Sequence, residues 1–290
     1  MRTSVKRVAA IHDLSGFGRS SLSLVIPILS IMGVQACAVP TAILSTHTGD
    51  FEGYSFHDFT DHLEGYINHW HQLGIDFDCI YSGFLGSPRQ IDIISKMIDD
   101  FSGDNTLIVV DPVMGDGGEL YSTMCSQMVA KMKTLIEKAD IITPNITEAA
   151  YLLGEKYEED LSEAQIKDWL IRLADMGPST VIITSIPDTQ NDKNICTVAY
   201  DKKMKRFWKV STYRIPAHFP GTGDTFTSVI VGSILQGDNL PMALDRGVQF
   251  VAEAMRVSYG YDYPKREGIL IEKVLGNLKM PFLVSGYEEL

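Results

Sequence analysis

The segment Gly221-Thr222-Gly223-Asp224 has the residue types that phosphate chemistry requires. Its two glycines let the backbone approach a ligand closely, and the apolar pattern that follows predicts a helix starting at about Asp224. Amide groups at a helix N-terminus carry partial positive charge, so they stabilise a phosphate. An aspartate at this position can cap the helix, or it can accept the proton of an attacking hydroxyl. On its own the segment fits either role equally well.

Polar residues also follow three predicted buried strands. They are the segments 111–116, 143–148 and Thr184-Ser185. In open α/β sheets, ligands bind just beyond the carboxyl ends of the strands, so these segments are expected to line one site. Carboxylates collected there, with an asparagine nearby, suit a hydrated Mg²⁺ that bridges nucleotide phosphates. For Asp111 and Glu148 the alternative is a structural role, as caps of helices or turns.

The elements that position these residues alternate between short apolar segments and longer amphipathic ones. This alternation predicts an α/β fold with three layers (αβα), a mostly parallel central sheet with helices on both faces. The predicted strands are 8–11, which ends in a glycine-containing turn, 35–44, 79–82, 107–110, 140–143 and 180–184, with an antiparallel pair at 195–201 and 206–213. The predicted helices are 20–32, 56–73, 88–101, 122–138, 147–153, 162–176, 224–235, 242–257 and 270–278, followed by a loosely held tail.

Composition limits the class of protein. No linker or repeat divides the 290 residues, so we expect a single domain spanning 1–290. A formal net charge of −12 argues against nucleic-acid binding, which needs a basic face. It does not argue against ATP, because backbone amides, a divalent ion and a few local cations can hold a nucleotide.

Cysteine usage and hydropathy predict a cytoplasmic protein that neither leaves the cell nor crosses a membrane. The four cysteines are scattered, without metal-like spacing, and are expected to be reduced thiols. The apolar run 8–11 is too short for an export signal. The longest apolar stretch, 22–34, contains Pro27 and falls short of the roughly 20 residues that a membrane span needs.

The order of these motifs resembles that of the ribokinase superfamily, in its vitamin B6 kinase branch. Gly221-Thr222-Gly223-Asp224 matches that family's anion hole and catalytic base. The segment 111–121 resembles the one that approaches Mg²⁺ and nucleotide phosphate, and Thr143-Pro144-Asn145 with Glu148 matches the metal and phosphate motif. Other matching segments are 176–185, which approaches ATP, 45–49, whose His and Thr contact the B6 ring, and 82–86, which lines the pocket. The likeness covers nearly the whole chain, from about Val8 to about Val257.

The resemblance implies transfer of a phosphoryl group from ATP to the 5′-hydroxymethyl of pyridoxal, pyridoxamine or pyridoxine, a B6 salvage reaction that gives the 5′-phosphate. Asp224 would be the base, and the amides of Gly221, Thr222 and Gly223 would stabilise the transferring group. The resemblance also implies Mg²⁺ and a homodimer, and it leaves open a monovalent cation such as K⁺. The implied substrate-binding residues are Asp13, Ser15, His47, Thr48 and Phe84; the ATP-binding residues are Asp111, Asp116, Asn145, Thr184 and Ser185; the metal-binding residues are Asp111, Asp116 and Glu148.

Two residues depart from the pattern of pyridoxal kinases, which usually have a serine near Asp13 and a tyrosine in place of Phe84. An aspartate could pair with a protonated ring nitrogen or an amine, whereas Phe84 could only stack. The segment Asp13-Leu14-Ser15-Gly16 also resembles the opening of hydroxymethylpyrimidine kinases, although those enzymes normally carry Lys-Gly where this chain has Thr184-Ser185.

Two alternatives therefore stay open. The first is a hydroxymethylpyrimidine kinase of thiamine synthesis. The second is a non-catalytic protein that binds B6 or a nucleotide, against which the intact Gly-Thr-Gly-Asp argues. Among the seven histidines only His47 is assigned a role. The histidines without an assigned role are His12, His57, His62, His69, His71 and His218.

Overall fold

A ten-stranded sheet forms the centre of the computed structural model, which describes residues 4–189, 191–280 and 285–290. The strands are β1 Arg7–Phe17, β2 Gln35–Thr46, β3 Phe56–Asp58, β4 Cys79–Ser82, β5 Leu107–Val110, β6 Gly115–Asp116, β7 Glu119–Leu120, β8 Ile141–Ile142, β9 Thr180–Pro187, β10 Asn194–Asp201, β11 Arg206–Tyr213 and β12 Tyr287–Glu289. Strands β6 and β7 form a separate hairpin.

Eight α-helices and three short 3₁₀ helices accompany the sheet within the described residues. The α-helices are α1 Leu22–Ile31, α2 Thr60–Gln72, α3 Pro88–Phe101, α4 Ser126–Ile136, α5 Ile146–Leu153, α6 Glu163–Asp175, α7 Thr222–Leu235 and α8 Leu240–Tyr259. The 3₁₀ helices are Lys265–Glu267, Ile271–Lys273 and Leu275–Lys279. None of these helices combines the length and the apolarity that crossing a membrane demands.

The sheet is mostly parallel, as the sequence predicts. Its strand order is β12-β11-β10-β9-β8-β5-β4-β1-β2-β3. The six strands from β9 to β2 in this order run parallel, and β3, β10, β11 and β12 pair antiparallel at the two edges. A parallel order brings the carboxyl ends of its strands to one edge, which is where the predicted functional residues follow their strands.

Two hydrophobic cores, one on each face of the sheet, confirm the three-layer αβα architecture. Successive side chains of a strand point to opposite faces, and β1 accordingly contributes Ala9 and Ile11 to one core and Val8 and Ala10 to the other. The first core includes buried side chains of α2 to α6, and the second includes those of α1, α7 and α8. The long apolar runs of the parallel strands are therefore buried on both sides.

Strand β1 continues well beyond the turn predicted after residue 11. It pairs with β2 as far as Phe17 opposite Thr46, with an irregularity in the register between His12 and Leu14. The prediction of a helix over 56–73 was wrong at its start, because Phe56–Asp58 pairs with β2 as strand β3. Pairing with a neighbouring strand overrides the helical spacing of these three residues.

The expectation of a loose tail was wrong near its end, because Tyr287–Glu289 form strand β12; residues 281–284 of that tail lie outside the described residues. Strand β12 pairs antiparallel with β11. Before it, Ser285 Oγ and the Gly286 amide each donate a hydrogen bond of 2.8 Å to Asp245, a fully buried side chain of α8. The helix predicted over 270–278 is replaced by two 3₁₀ helices.

Candidate active site

A cavity of about 350 Å³ lies at the carboxyl ends of the parallel strands. It brings together every site residue that the sequence predicts except Ser15, whose hydroxyl instead donates to Asp13 at 3.2 Å. The predicted residues in its lining are Asp13, His47, Thr48, Phe84, Asp111, Asp116, Asn145, Glu148, Thr184, Ser185, Gly221, Thr222, Gly223 and Asp224.

A second cavity of about 620 Å³ adjoins the first. Apolar side chains of β10, α7 and α8, among them Ile195, Phe226 and Val248, line part of it. The residues that line both cavities are Asp116, Thr184, Ser185, His218, Phe219, Thr222 and Gly223. The start of α7 and Thr184-Ser185 of β9 therefore lie between the smaller cavity and the larger one.

The start of α7 packs closely against the turn between β1 and α1. Gly221 has a φ of 83° and is the residue before the helix, which begins at Thr222 rather than at Asp224. A Cβ on Gly221 would lie 2.5 Å from the carbonyl oxygen of Arg19 and 2.3 Å from Leu24. Only glycine fits both this conformation and this space.

Asp224 does not cap its own helix, although the sequence allowed that role. Helix α7 has no side-chain cap, and Asp224 Oδ2 instead accepts a 2.8 Å hydrogen bond from the Ser21 amide. Ser21 has a φ of 51°, a strained value for a residue other than glycine that is typical of functional sites. Asp224 keeps 14% of its side chain exposed toward the cavity, so a ligand can reach the carboxylate.

Asp111 lies at the end of β5, buried beside the start of α7. Thr227 Oγ1 contacts both Asp111 Oδ2, at 3.4 Å, and Thr143 Oγ1, at 2.9 Å. Burial raises the pKa of Asp111, and the negative charge of Asp224 raises it further. Among the described residues this side chain caps no helix, which was one of the two structural alternatives for Asp111.

Glu148, in contrast, does take the structural role that the sequence left open. It forms a capping box with Asn145, in which each side chain accepts a 2.9 Å hydrogen bond from the other residue's amide. Its second oxygen accepts from the Met114 amide at 3.0 Å. Burial raises the pKa of Glu148 well above its usual value, and Asp111 adds to the effect. Glu148 thus fixes the segment after β5 against helix α5.

His47 lies in the lining of the smaller cavity, but both of its ring nitrogens are bonded within the protein. The Gly49 amide donates to Nδ1 at 3.1 Å. Nε2 lies 2.6 Å from the carbonyl oxygen of Arg266, which assigns the proton to Nε2. His47 therefore holds the loop that carries Thr48, and only its ring surface is available to a ligand.

Asp13, in the lining of the smaller cavity, is a buried carboxylate with 7% of its surface exposed. The hydroxyls of Ser21 and Ser15 donate hydrogen bonds to it. Burial raises its pKa, and the nearby Asp224 raises it further, although the Ser21 hydrogen bond partly offsets both. Asp13 is placed to meet a polar group of a ligand, but holding its negative charge here costs stability.

Sequence reasoning missed His12, which precedes Asp13 on β1. The structure buries this side chain completely and places its Nδ1 3.7 Å from Asp224 Oδ1. A histidine directly after the apolar run 8–11 was the available signal, because a buried strand rarely holds an imidazole without a reason. His218, also given no role, lines both cavities just before the Gly221 turn.

Comparison with known proteins places the chain among small-molecule kinases. Residues 26–268 match the family model described as phosphomethylpyrimidine kinase. The pyridoxal kinase of Arabidopsis thaliana is 31% identical over 255 residues, which is 84% of this chain and 79% of that protein. The crystal structure of pyridoxal kinase from Lactobacillus plantarum is similar with a TM-score of 0.86 at 30% identity, covering 95% of this chain and 97% of that one.

A protein of Bacteroides thetaiotaomicron is more similar still. Its crystal structure, under the provisional name phosphomethylpyrimidine kinase, was solved in an orthorhombic form with pyridoxal. It is 53% identical with a TM-score of 0.96, and the match covers 99% of this chain and 100% of that one. This relative is thus named after a pyrimidine substrate, although its crystal contains pyridoxal.

Replacing the buried acid with its amide, Asp13→Asn, is expected to raise the melting temperature at pH 7. A carboxyl whose pKa is raised on folding begins to destabilise the folded state as the pH rises above its unfolded-state pKa, and the effect is complete above the raised pKa. The gain should shrink as the pH falls and vanish below about 3.9, the usual pKa of aspartate, where the carboxyl is protonated in both states. Thermal unfolding between pH 3.5 and 8 measures this difference in melting temperature, and Asp61→Asn, at an exposed side chain, is the control. A gain that does not change with pH would contradict the prediction.

Proposed function

The chain belongs to the phosphomethylpyrimidine kinase family, and on that basis we propose that it acts as one ATP-dependent kinase domain that phosphorylates the 5′-hydroxymethyl of pyridoxal, pyridoxamine or pyridoxine. The observation that carries the proposal is the position of Asp224. It lies beside a glycine-containing helix start, in reach of a cavity, and does not cap its own helix. The pyridoxal in the crystal of the 53% identical relative supports the class of substrate.

In the proposed reaction the B6 vitamer occupies the smaller cavity and ATP the larger one. The hydroxymethyl oxygen attacks the γ-phosphorus while its proton passes to Asp224, and the bond to the β,γ-bridging oxygen breaks to release ADP. The Ser21 amide stabilises the negative charge of the Asp224 carboxylate. The amides of Gly221, Thr222 and Gly223 stabilise the charge on the transferring phosphoryl group, the largest contribution in reactions of this kind.

The nucleotide is expected in the larger cavity because one end of that cavity is apolar and the other carries hydroxyl and amide groups. Apolar side chains such as Ile195 and Val248 suit a purine ring. The end shared with the smaller cavity carries Thr184, Ser185 and Thr222, whose hydroxyls and amides suit phosphates. The γ-phosphate would then lie at the start of α7, next to Asp224.

The carboxylates fit a hydrated Mg²⁺ and not a direct three-carboxylate ligand set. Among the described residues no group of three His, Cys, Asp or Glu side chains converges as metal ligands. Both oxygens of Glu148 already accept backbone hydrogen bonds. Mg²⁺ usually keeps several waters and binds one or two carboxylates plus substrate phosphates. We therefore propose that Asp111, Asp116 and Glu148 hold it largely through water, and that it would neutralise charge on the phosphates.

A second candidate function, hydroxymethylpyrimidine kinase, stays in view because of Asp13 and the name of the matching family. A carboxyl group with a raised pKa can donate a hydrogen bond to a ring nitrogen when protonated or accept one from an amino group when charged. Pyridoxamine and an aminopyrimidine both offer such groups.

The test of the function measures ADP release with pyridoxal, pyridoxamine, pyridoxine and hydroxymethylpyrimidine in parallel, with and without Mg²⁺. We expect turnover of the B6 vitamers to exceed that of the pyrimidine in kcat/KM and to require Mg²⁺. Higher kcat/KM for the pyrimidine would favour the second candidate. No turnover on any of the four, with binding retained in calorimetry, would identify a non-catalytic binder.

The substitution Asp224→Asn is expected to lower kcat for pyridoxal about 10²–10⁴-fold, because it removes the general base. The amide oxygen can still accept from Ser21, so the melting temperature and ATP binding should change little. Steady-state kinetics, thermal unfolding and calorimetric titration with ATP measure these three quantities, and Asp61→Asn is the matched surface control. Retention of most of the wild-type kcat would show that another group takes the proton.

We further propose a homodimer formed through the outer ends of β1 and β2. Leu14 and Ile43, paired across these strands, are 36% and 40% exposed, and Phe17 and Phe56 nearby are 52% and 38% exposed. Apolar side chains grouped at the surface mark interaction sites, and a second copy presents the same group to pair with it.

The four described cysteines are free thiols, which suits the reducing cytoplasm that we propose as the location.

The substitution Ile43→Glu is expected to lower the fraction of dimer, because it places a charge in the proposed interface. Its matched control is Ile171→Glu on α6, where the isoleucine is also 40% exposed. Sedimentation equilibrium over a range of protein concentrations measures the mass. A wild type that is monomeric throughout, or a dimer that Ile43→Glu leaves unchanged, would contradict the proposed interface.

A further inference from the structure

His12 is a fully buried imidazole without a hydrogen bond to either ring nitrogen among the described residues. Its Nδ1 lies 3.7 Å from Asp224 Oδ1, and its ring contacts Tyr81 edge-on with centroids 4.4 Å apart. Burying a polar group without a partner costs stability, so such groups in a folded protein call for an explanation. The carboxylate of Asp224 is the charged group beside this imidazole, and it offers an explanation for burying His12 here.

The backbone makes room for the ring at this position. Gly83, which follows β4, donates its amide to the carbonyl oxygen of Ile11 at 2.9 Å, so the two strand ends are fixed side by side. A Cβ on Gly83 would lie only 2.3 Å from His12 Nδ1. Any larger residue would therefore displace the ring from its place beside Asp224.

The two oxygens of Asp224 have different surroundings. Oδ2 is held by the Ser21 amide, while Oδ1 faces His12 Nδ1. The buried carboxyl groups of Asp13 and Asp111 lie close by, and their negative charge opposes that of Asp224. A donor directed at Oδ1 would stabilise the charge of Asp224 and also fix the rotation of its carboxylate, two requirements of a general base.

We propose that His12 is a positioning residue for Asp224: its Nδ1–H donates a hydrogen bond to Asp224 Oδ1 when the alcohol substrate is bound. The inference rests on the proposed kinase function. The present separation of 3.7 Å exceeds a hydrogen bond, and contacts of this kind tighten when the substrate enters the site. The substrate proton goes to Asp224, and His12 keeps its own proton throughout the reaction.

Three substitutions of His12 separate positioning from packing. His12→Asn places an amide donor near the position of Nδ1, His12→Gln places one near that of Nε2, and His12→Leu provides neither. With pyridoxal and ATP we expect His12→Leu and His12→Gln to lower kcat about 10–100-fold, the value of one hydrogen bond to a charged group. His12→Asn should retain kcat within about threefold of the wild type, and all KM values should stay within about twofold.

The outcomes decide the proposal. It is overturned if His12→Leu keeps the wild-type kcat, or if His12→Asn loses as much kcat as His12→Leu at an unchanged melting temperature. If His12→Leu does not fold, the comparison of His12→Asn with His12→Gln decides, because both are polar and only one donor faces Asp224. Failure of the wild type to turn over pyridoxal in the same assay would overturn the proposed function instead, and this inference with it.

Gly83→Ala provides an independent arm of the test. Its added methyl group would collide with His12 Nδ1, so we expect kcat to fall as it does in His12→Leu. Because both changes disrupt the same contact, the double variant Gly83→Ala/His12→Leu should have about the same kcat as the lower single variant. Multiplied losses in the double variant would show that the two residues act separately, and would contradict the proposal.

Discussion

The close packing of the start of α7 against the turn after β1 is the constraint on which the site depends. About two hundred residues of chain separate Ser21 from Asp224, yet the Ser21 amide holds the Asp224 carboxylate at 2.8 Å. The contact requires a glycine at 221, because a side chain would collide with Arg19 and Leu24. It also requires the strained backbone of Ser21, whose cost is met by the packing around it. Without this contact the carboxylate would lack its partner and its orientation.

The buried acidic groups around this contact act against the stability of the folded protein. Burial raises the pKa of Asp13, Asp111 and Glu148, which means that their charged forms are disfavoured in the folded state. Sites that perform proton and phosphate chemistry commonly hold such groups, because the same arrangement that costs stability poises them for reaction. A hydrated cation and the donors of a bound substrate would offset much of this cost. The hydrophobic cores on both faces of the sheet supply the stability that the site lacks.

The names of the relatives divide between two substrates, while their folds agree. The family model takes its name from a pyrimidine, whereas the relatives from Arabidopsis thaliana and Lactobacillus plantarum are pyridoxal kinases. Both kinds of substrate present a hydroxymethyl group on a nitrogen ring, so one arrangement of base and phosphate-binding amides serves either. We propose that discrimination between the two substrates rests on side chains such as Asp13 and Phe84, which line the smaller cavity. These are the two positions at which the sequence departs from the pattern of pyridoxal kinases.

The sequence by itself determined the αβα layers, the parallel order of the strands and most of the residues that meet at their ends. Periodicity, strand-ending polar segments and the Gly-Thr-Gly-Asp motif are local signals, and local signals survive in a single sequence. The tertiary structure alone decided what distant pairing controls: the conversion of 56–58 into a strand, the pairing of Tyr287–Glu289 with β11 and the position of His12 beside Asp224. The same holds for whether an acid caps a helix, as Glu148 does, or turns away from it toward another element, as Asp224 does. The physical reason is that these outcomes depend on which groups lie across a strand pair or a helix contact, and spacing along the chain carries no record of that.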